Sequence, residues 1–139
     1  MEGNEDLPLP RCMSENASGV DLHAAVTRAT FLQPGQRVLI PTGISIALPP
    51  GYEAQVRPRS GLAINHGITV LNSPGTIDAD YRGEIRVILI NWGDKPFVIR
   101  RGDRVAQMVV QKVCKVSWEV SGSLPLTSRD TGGFGHSGS

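Results

Sequence analysis

Apolar positions along this chain recur mostly at every second residue, in short runs cut by glycine and proline, and helical spacing is scarce. In residues 18–24 the alternation places Val20, Leu22 and Ala24 on one face of a strand and Asp21 and His23 on the other. Further strands are predicted over residues 28–32, 37–40, 44–48, 52–56, 84–91, 97–99 and 105–111. The run 84–91 is apolar and β-branched almost throughout and predicts a buried strand, and 105–111 reads the same way apart from Gln107. Gln33-Pro34-Gly35-Gln36 has Pro and Gly at the central positions of a type II turn, and Pro41-Thr42-Gly43 and Pro49-Pro50-Gly51 punctuate the runs that follow. A short helix is expected over 62–66, with Ser60 as its N-cap. The polar lead-in before residue 17 offers one edge strand near 7–12. Many short, regularly spaced strands predict an all-β sandwich or barrel.

Composition narrows the class. A chain of 139 residues is one domain with a core of modest size. Its formal net charge is +1 with both signs mixed, and the longest basic run is Arg100-Arg101, so no electrostatic footprint for nucleic acid is present. Cys12 and Cys114 are too few for a disulfide scaffold or a zinc site and fit a reducing compartment. The N-terminus shows no charged-then-apolar signal and no run approaches membrane-spanning length. A soluble, cytoplasmic protein with no membrane partner is expected.

Chemistry concentrates in five segments. Residues 75–84 read G-T-I-D-A-D-Y-R-G-E, with Asp78, Asp80 and Tyr81 between Gly75 and Gly83. The glycines predict a tight hairpin that projects these side chains, although Asp and Gly are also ordinary turn residues. Arg57-Pro58-Arg59-Ser60-Gly61 brings guanidinium forks, a hydroxyl and free amides together ahead of the helix, which suits an anion; an ordinary capped turn is the plainer reading. Asp21 follows Gly19, where a ligand could approach the backbone, whereas His23 has no second ligand at metal spacing and is read as a surface residue. Asn72 offers a donor and an acceptor to whatever fills the hairpin mouth, and Gln107 is satisfied by backbone or faces a ligand. From residue 121 the chain turns polar and glycine-rich, as in a disordered tail, yet it carries Arg129, three clustered glycines and Phe134, a set able to wrap phosphate and cover a planar base. The open chemistry is attack by water on a polyanion held by arginines and a divalent cation.

In order and approximate spacing, these segments resemble the five motifs of the trimeric dUTP pyrophosphatase (dUTPase) family, from Ser18 to the C-terminus. G-T-I-D-A-D-Y-R-G-E and R-P-R-S-G-L-A carry most of the likeness. The resemblance implies a jelly-roll-like β-barrel over residues 1–120 and a glycine-rich, flexible arm over 121–139. It implies a homotrimer whose three active sites are each assembled from three subunits, the arm of one lying over a site formed by the other two. It implies hydrolysis of dUTP to dUMP and pyrophosphate, which keeps uracil out of DNA and supplies dUMP for dTMP synthesis. By the same resemblance, Asp78 would activate the attacking water and hold the 3′-hydroxyl. Tyr81 would stack under the deoxyribose and exclude a 2′-hydroxyl. Asn72, with backbone groups of Gly75 and Ile77, would read uracil. Arg59, Ser60, Gly61 and Gln107 would bind phosphates. Asp21 would anchor a water of a Mg2+ ion held by the triphosphate, with no direct protein ligand. Arg129 would pair with the γ-phosphate, while Phe134, followed by Gly135, closes over the base.

The fifth motif departs from the family pattern R-G-x-G-G-F-G-S-T-G. Asp130 stands at its first glycine, and His136-Ser137 replace Ser-Thr. Asp130 brings a negative charge towards a polyanion and tolerates left-handed backbone less well than glycine. Two other readings of the fold stay open, a dCTP deaminase, which would want a glutamate base, and a non-catalytic nucleotide-sensing or protein-binding module.

Overall fold

The structure, a computed structural model, describes residues 2–133. Among these residues are nine strands and one short helix, in the order β1 (Val20–His23), β2 (Thr30–Leu32), β3 (Arg37–Pro41), β4 (Tyr52–Arg57), α1 (Ser60–His66), β5 (Ile68–Val70), β6 (Gly75–Ile77), β7 (Arg86–Asn91), β8 (Phe97–Ile99) and β9 (Arg104–Lys112). They pair antiparallel into three sheets, β1-β9-β4-β6, β3-β7-β5 and the two-stranded β2-β8. All three contribute to one core. Leu22, Val56 and Met108 come from the first sheet, Ile40, Val87 and Leu89 from the second, and Leu32 and Ile99 from the third. The fold is therefore the all-β arrangement the alternation predicts, with the jelly-roll-like character the resemblance implies.

At the end of β7, Asn91 is fully buried, and it earns its place by hydrogen bonding. Its Nδ2 donates to the carbonyls of Leu32 and Lys95 at 2.9 Å each, and its Oδ1 accepts from the Gly93 amide at 2.8 Å. Three backbone groups are thus bonded by one side chain where two sheets meet.

Four local expectations give way. Residues 75–84 do not form a hairpin, because β6 pairs with β4 whereas β7 pairs with β3 and β5. The chain crosses between sheets since residues 84–85 are captured elsewhere. The Glu84 carboxylate accepts from the Gly43 amide at 2.9 Å, Thr42 Oγ1 donates to the Ile85 carbonyl at 2.6 Å, and the Ile85 amide donates to Ile44 O at 2.9 Å. Residues 44–48 keep the predicted alternation, with Ile44, Ile46 and Leu48 packed on the core, but they have no strand partner among the described residues. The edge strand near 7–12 reduces to a single bridge, Cys12 to Val20. The segment before it is held by its side chains, as Arg101 grips both carboxylate oxygens of Asp6, at 2.8 and 2.6 Å, and the Gly3 carbonyl at 3.1 Å.

The fourth is the helix cap. Ser60 is the first helical residue, and the cap is Arg59, in extended backbone (φ −92°, ψ 126°) with no side-chain cap bond. Its carbonyl accepts from the amides of Leu62 and Ala63, and its guanidinium is drawn away to Asp21. The helix stops at Gly67, in left-handed conformation at φ 66°, where any side chain would also run into the backbone of Gly93.

Candidate active site

Two separate groups of side chains emerge from this frame. The first lies on the outer side of the β1-β9-β4 sheet. The register sets Asp21 opposite Gln107 and Gln107 opposite Arg57, so strand alternation presents all three on the same side. Just past β4, Arg59 turns back over this row and its Nε donates to Asp21 Oδ1 at 3.1 Å. Arg104, at the start of β9, donates from Nη1 to Asp21 Oδ2 at 3.0 Å, and Arg59 Nη1 donates to the Arg104 carbonyl at 3.0 Å. The Asp21 side chain is 14% exposed, and each of its oxygens meets a guanidinium. Gln107 donates its amide to the Pro58 carbonyl at 2.9 Å, so backbone satisfies it and ties β9 to the turn that carries Arg59. Ser60 and Gly61 stand exposed in the first turn of α1 beside this cluster.

Arg104 was not singled out from the sequence. It shares a charged turn with Arg100 and Arg101, and nothing in the local pattern distinguishes which of the three reaches Asp21. His23 needs correcting as well. It is partly buried, not a surface residue, and its Nδ1 is enclosed with no hydrogen-bond partner among the described residues. Burial lowers its pKa below the ordinary histidine value, while neighbouring Asp21 pulls the other way. Pro8 and Leu9 of the lead-in wall the hollows around it.

The second group surrounds the crossing from β6 to β7. Gly75 and Ile77 pair with Val56 and Ala54 of β4, and the Asn72 side chain lies against Gly75, where an added Cβ would stand 3.2 Å from Nδ2. Asp78 follows β6 and is exposed. The chain then turns, with the Tyr81 amide donating to the Asp78 carbonyl at 3.1 Å. The Tyr81 hydroxyl donates to the Glu84 carbonyl at 3.0 Å, which lays its ring across Gly83 with 44% of the residue exposed. Asp78 and Asp80 face a hollow of about 590 Å3 shared with Tyr52, Glu53, Arg82 and Lys115.

No direct hydrogen bond or ion pair among the described residues joins the Asp21 cluster to Asp78 or Tyr81; the one side-chain relay between the groups among those residues runs from Arg57 through Gln55 to Glu53. In the tail, Arg129 bonds only locally, from Nε to the Gly132 carbonyl at 2.9 Å, and the Asp130 amide donates to Thr127. Asp130 has φ +42°, in the left-handed region that favours glycine. Phe134, Gly135 and His136 lie outside the described residues. From residue 112 onward every described residue except Gly132 is exposed, Val116, Trp118 and Val120 among them.

Among the described residues no three His, Cys, Asp or Glu side chains converge as a cation cage. Asp21 is the one carboxylate in the arginine-rich group. A lone carboxylate suits a cation that arrives on its own phosphate ligands and meets the protein through water. No helix among the described residues is long and apolar enough to cross a membrane.

A family model described as dUTPase matches residues 5–138. A protein named deoxyuridine 5′-triphosphate nucleotidohydrolase from a Thermoanaerobacter species is 58% identical over 134 residues, covering 96% of this chain and 90% of its own. One of the same name from Caldanaerobacter subterraneus subsp. tengcongensis is 56% identical over 137 residues, covering 99% and 93%. In three dimensions the chain is similar to the dUTPase of Staphylococcus bacteriophage 80alpha solved with dUPNHPP, at a TM-score of 0.88 and 20% identity over 97% of this chain and 94% of that one.

Proposed function

This chain belongs to the dUTPase family, and from that premise we propose that it hydrolyses dUTP to dUMP and pyrophosphate in a homotrimer with shared active sites. The observation that carries the shared-site reading is the separation of the two groups. Anion donors stand around Asp21, and a free carboxylate and an aromatic ring stand at the β6–β7 crossing, with no bond between them. Each group is half of what the reaction needs, and a neighbouring subunit supplies the other half.

In this reading Asn72 and the backbone of Gly75 and Ile77 hold the uracil edge, and the Tyr81 ring fills the space a 2′-hydroxyl requires. Arg59, the Ser60 hydroxyl, the Gly61 amide and Gln107 take the phosphates of the adjacent half-site. Asp78 accepts a proton from a water that attacks the α-phosphorus. The bond from that phosphorus to the bridging oxygen breaks, and pyrophosphate leaves. Bound Mg2+ would offset phosphate charge, with Asp21 holding one of its waters. Residues 1–120 act as the barrel and 121–139 as an arm that brings Arg129 to the γ-phosphate and Phe134, with Gly135, over the base. Closing that arm excludes water other than the nucleophile.

The test is pyrophosphate release from dUTP with Mg2+, run beside ammonia release from dCTP. Pyrophosphate from dUTP alone supports the reading. Ammonia from dCTP without pyrophosphate from dUTP would assign a deaminase instead.

A further inference from the structure

The carboxylate of Asp21 is spent twice over. It is 14% exposed, its Oδ1 accepts from Arg59 at 3.1 Å, its Oδ2 accepts from Arg104 at 3.0 Å, and Arg59 is braced in turn on the Arg104 carbonyl. An incoming phosphate would compete for the same guanidinium hydrogens. We propose that Asp21 is a resident anion that makes the arginine pair selective for cation-complexed polyphosphate over bare polyphosphate. The inference rests on the reading of Arg59 and its neighbours as the phosphate-binding half-site, and adds a discriminating role to Asp21.

The argument is one of charge and exchange. With Asp21 in place the cluster of two guanidiniums and one carboxylate carries a net +1. A bare polyphosphate meets a carboxylate already seated between the two groups it needs, and must push like charge against like. A polyphosphate that brings a hydrated divalent cation brings donors too. The carboxylate can release a guanidinium to the phosphate and accept from a metal-bound water, so neither charge is left without a partner. Arg104 then has a positive duty of its own, holding Asp21 until that exchange occurs. Asn at position 21 would keep the shape and remove the competing charge.

Binding of inorganic pyrophosphate to the intact protein, by calorimetry in EDTA and again in excess Mg2+, reads this without turnover. Asp21→Asn is expected to bind bare pyrophosphate about tenfold more tightly than the parent, the scale of removing one nearby like charge at a partly solvated site. The strengthening that Mg2+ gives the parent should shrink in the variant by a similar factor. Arg104→Gln should move the other way, with weaker bare binding and a steeper Mg2+ dependence, because the cluster falls to net zero. It also serves as the reporter should Asp21→Asn fail to fold. If Asp21→Asn weakens bare binding, or if both variants shift it in the same direction, Asp21 merely props up the arginines and the proposal is wrong. A non-hydrolysable imido analogue of dUTP, titrated in parallel, separates the two readings. Failure to bind it better than pyrophosphate would count against the dUTP assignment, whereas the contrast between the two variants bears on Asp21.

Discussion

The ring of Tyr81 occupies the space that a side chain at Gly83 would need, pinned there by the bond from its hydroxyl to the Glu84 carbonyl. If that ring is the surface that turns away ribonucleotides, its position is the property to disturb. Tyr81→Ala should lower the ratio of kcat/KM for dUTP over UTP by about tenfold or more. Gly83→Ala, which displaces the ring without deleting it, should lower it in the same direction. A ratio unmoved in both variants would reduce Tyr81 to a packing residue.

Asp78→Asn preserves shape and removes the base. Turnover should fall by roughly 10²–10⁴-fold, with the affinity for an imido analogue of dUTP and the melting temperature little changed. Near-normal turnover would place the base elsewhere. Asp80, on the same loop, serves as the control, since its replacement by Asn is expected to cost far less.

Cutting the chain after Leu126 removes Arg129 and Phe134 but none of the nine strands. Stability and trimer mass should hold while turnover drops by about 100-fold, the scale of losing a transition-state charge donor. Truncated chains co-refolded with full-length Asp78→Asn chains should regain activity, because an intact base and an intact arm can then meet at one site. Proven mixed trimers without any recovery would mean that the arm serves its own subunit.

At Asp130 the positive φ of 42° sits on a residue with a Cβ and a charge. Asp130→Gly relieves a backbone penalty on the order of 1 kcal/mol and, with the arm closed over the phosphates as proposed, removes a negative charge from beside them. KM for dUTP is expected to fall by about threefold with the barrel's melting temperature unchanged. An increase in KM would show that Asp130 contributes to the arm's turn, where its amide already bonds Thr127.

Acid should release the N-terminal segment before the barrel. Hydrogen bonds from Arg101 hold the Asp6 carboxyl below its ordinary value of 3.8. A depressed carboxyl contributes its full tie above that ordinary value and loses it as pH falls through the depressed one. Amide signals of residues 4–7 should therefore move to free-chain positions in that window while core signals persist. Asp6→Asn should produce the same change at neutral pH. Signals that stay put until the whole barrel unfolds would show that packing, not the ion pair, holds the segment.

How legible all this was in the sequence depends on range. Strands with one face in the core leave a period-two trace, so the placement of Leu22 and Ala24 could be read directly. That trace records burial, not ladder partners, which is why residues 44–48 alternate as predicted yet join no strand ladder among the described residues, meeting only the Ile85 amide. Gly75 and Gly83 announced a turn, but the sheet that receives β7 is chosen by bonds from Thr42 and Gly43 some forty residues upstream. Ser60 is a good cap by type, but the cap is Arg59, whose extended backbone is the usual N-cap conformation and whose side chain goes to Asp21. Alternation puts His23 on the correct face, but the lead-in that encloses it carries no periodic signal. Arg104 had no local mark at all.

Both tryptophans of the chain stand outside the core, Trp92 at 68% exposure and Trp118 at 91%, the latter in the uncovered stretch after β9. Within one subunit, tryptophan emission is consequently a weak reporter of the event it is usually asked to follow. Melting the barrel takes two indoles from largely exposed to fully exposed surroundings, so an emission-monitored curve for the barrel itself would show little of it. Whatever comes to lie over Val116, Trp118 and Val120 would instead take one indole out of water and shift its emission to the blue. The optical signal of this chain belongs to its assembly, and its unfolding is better followed through the backbone.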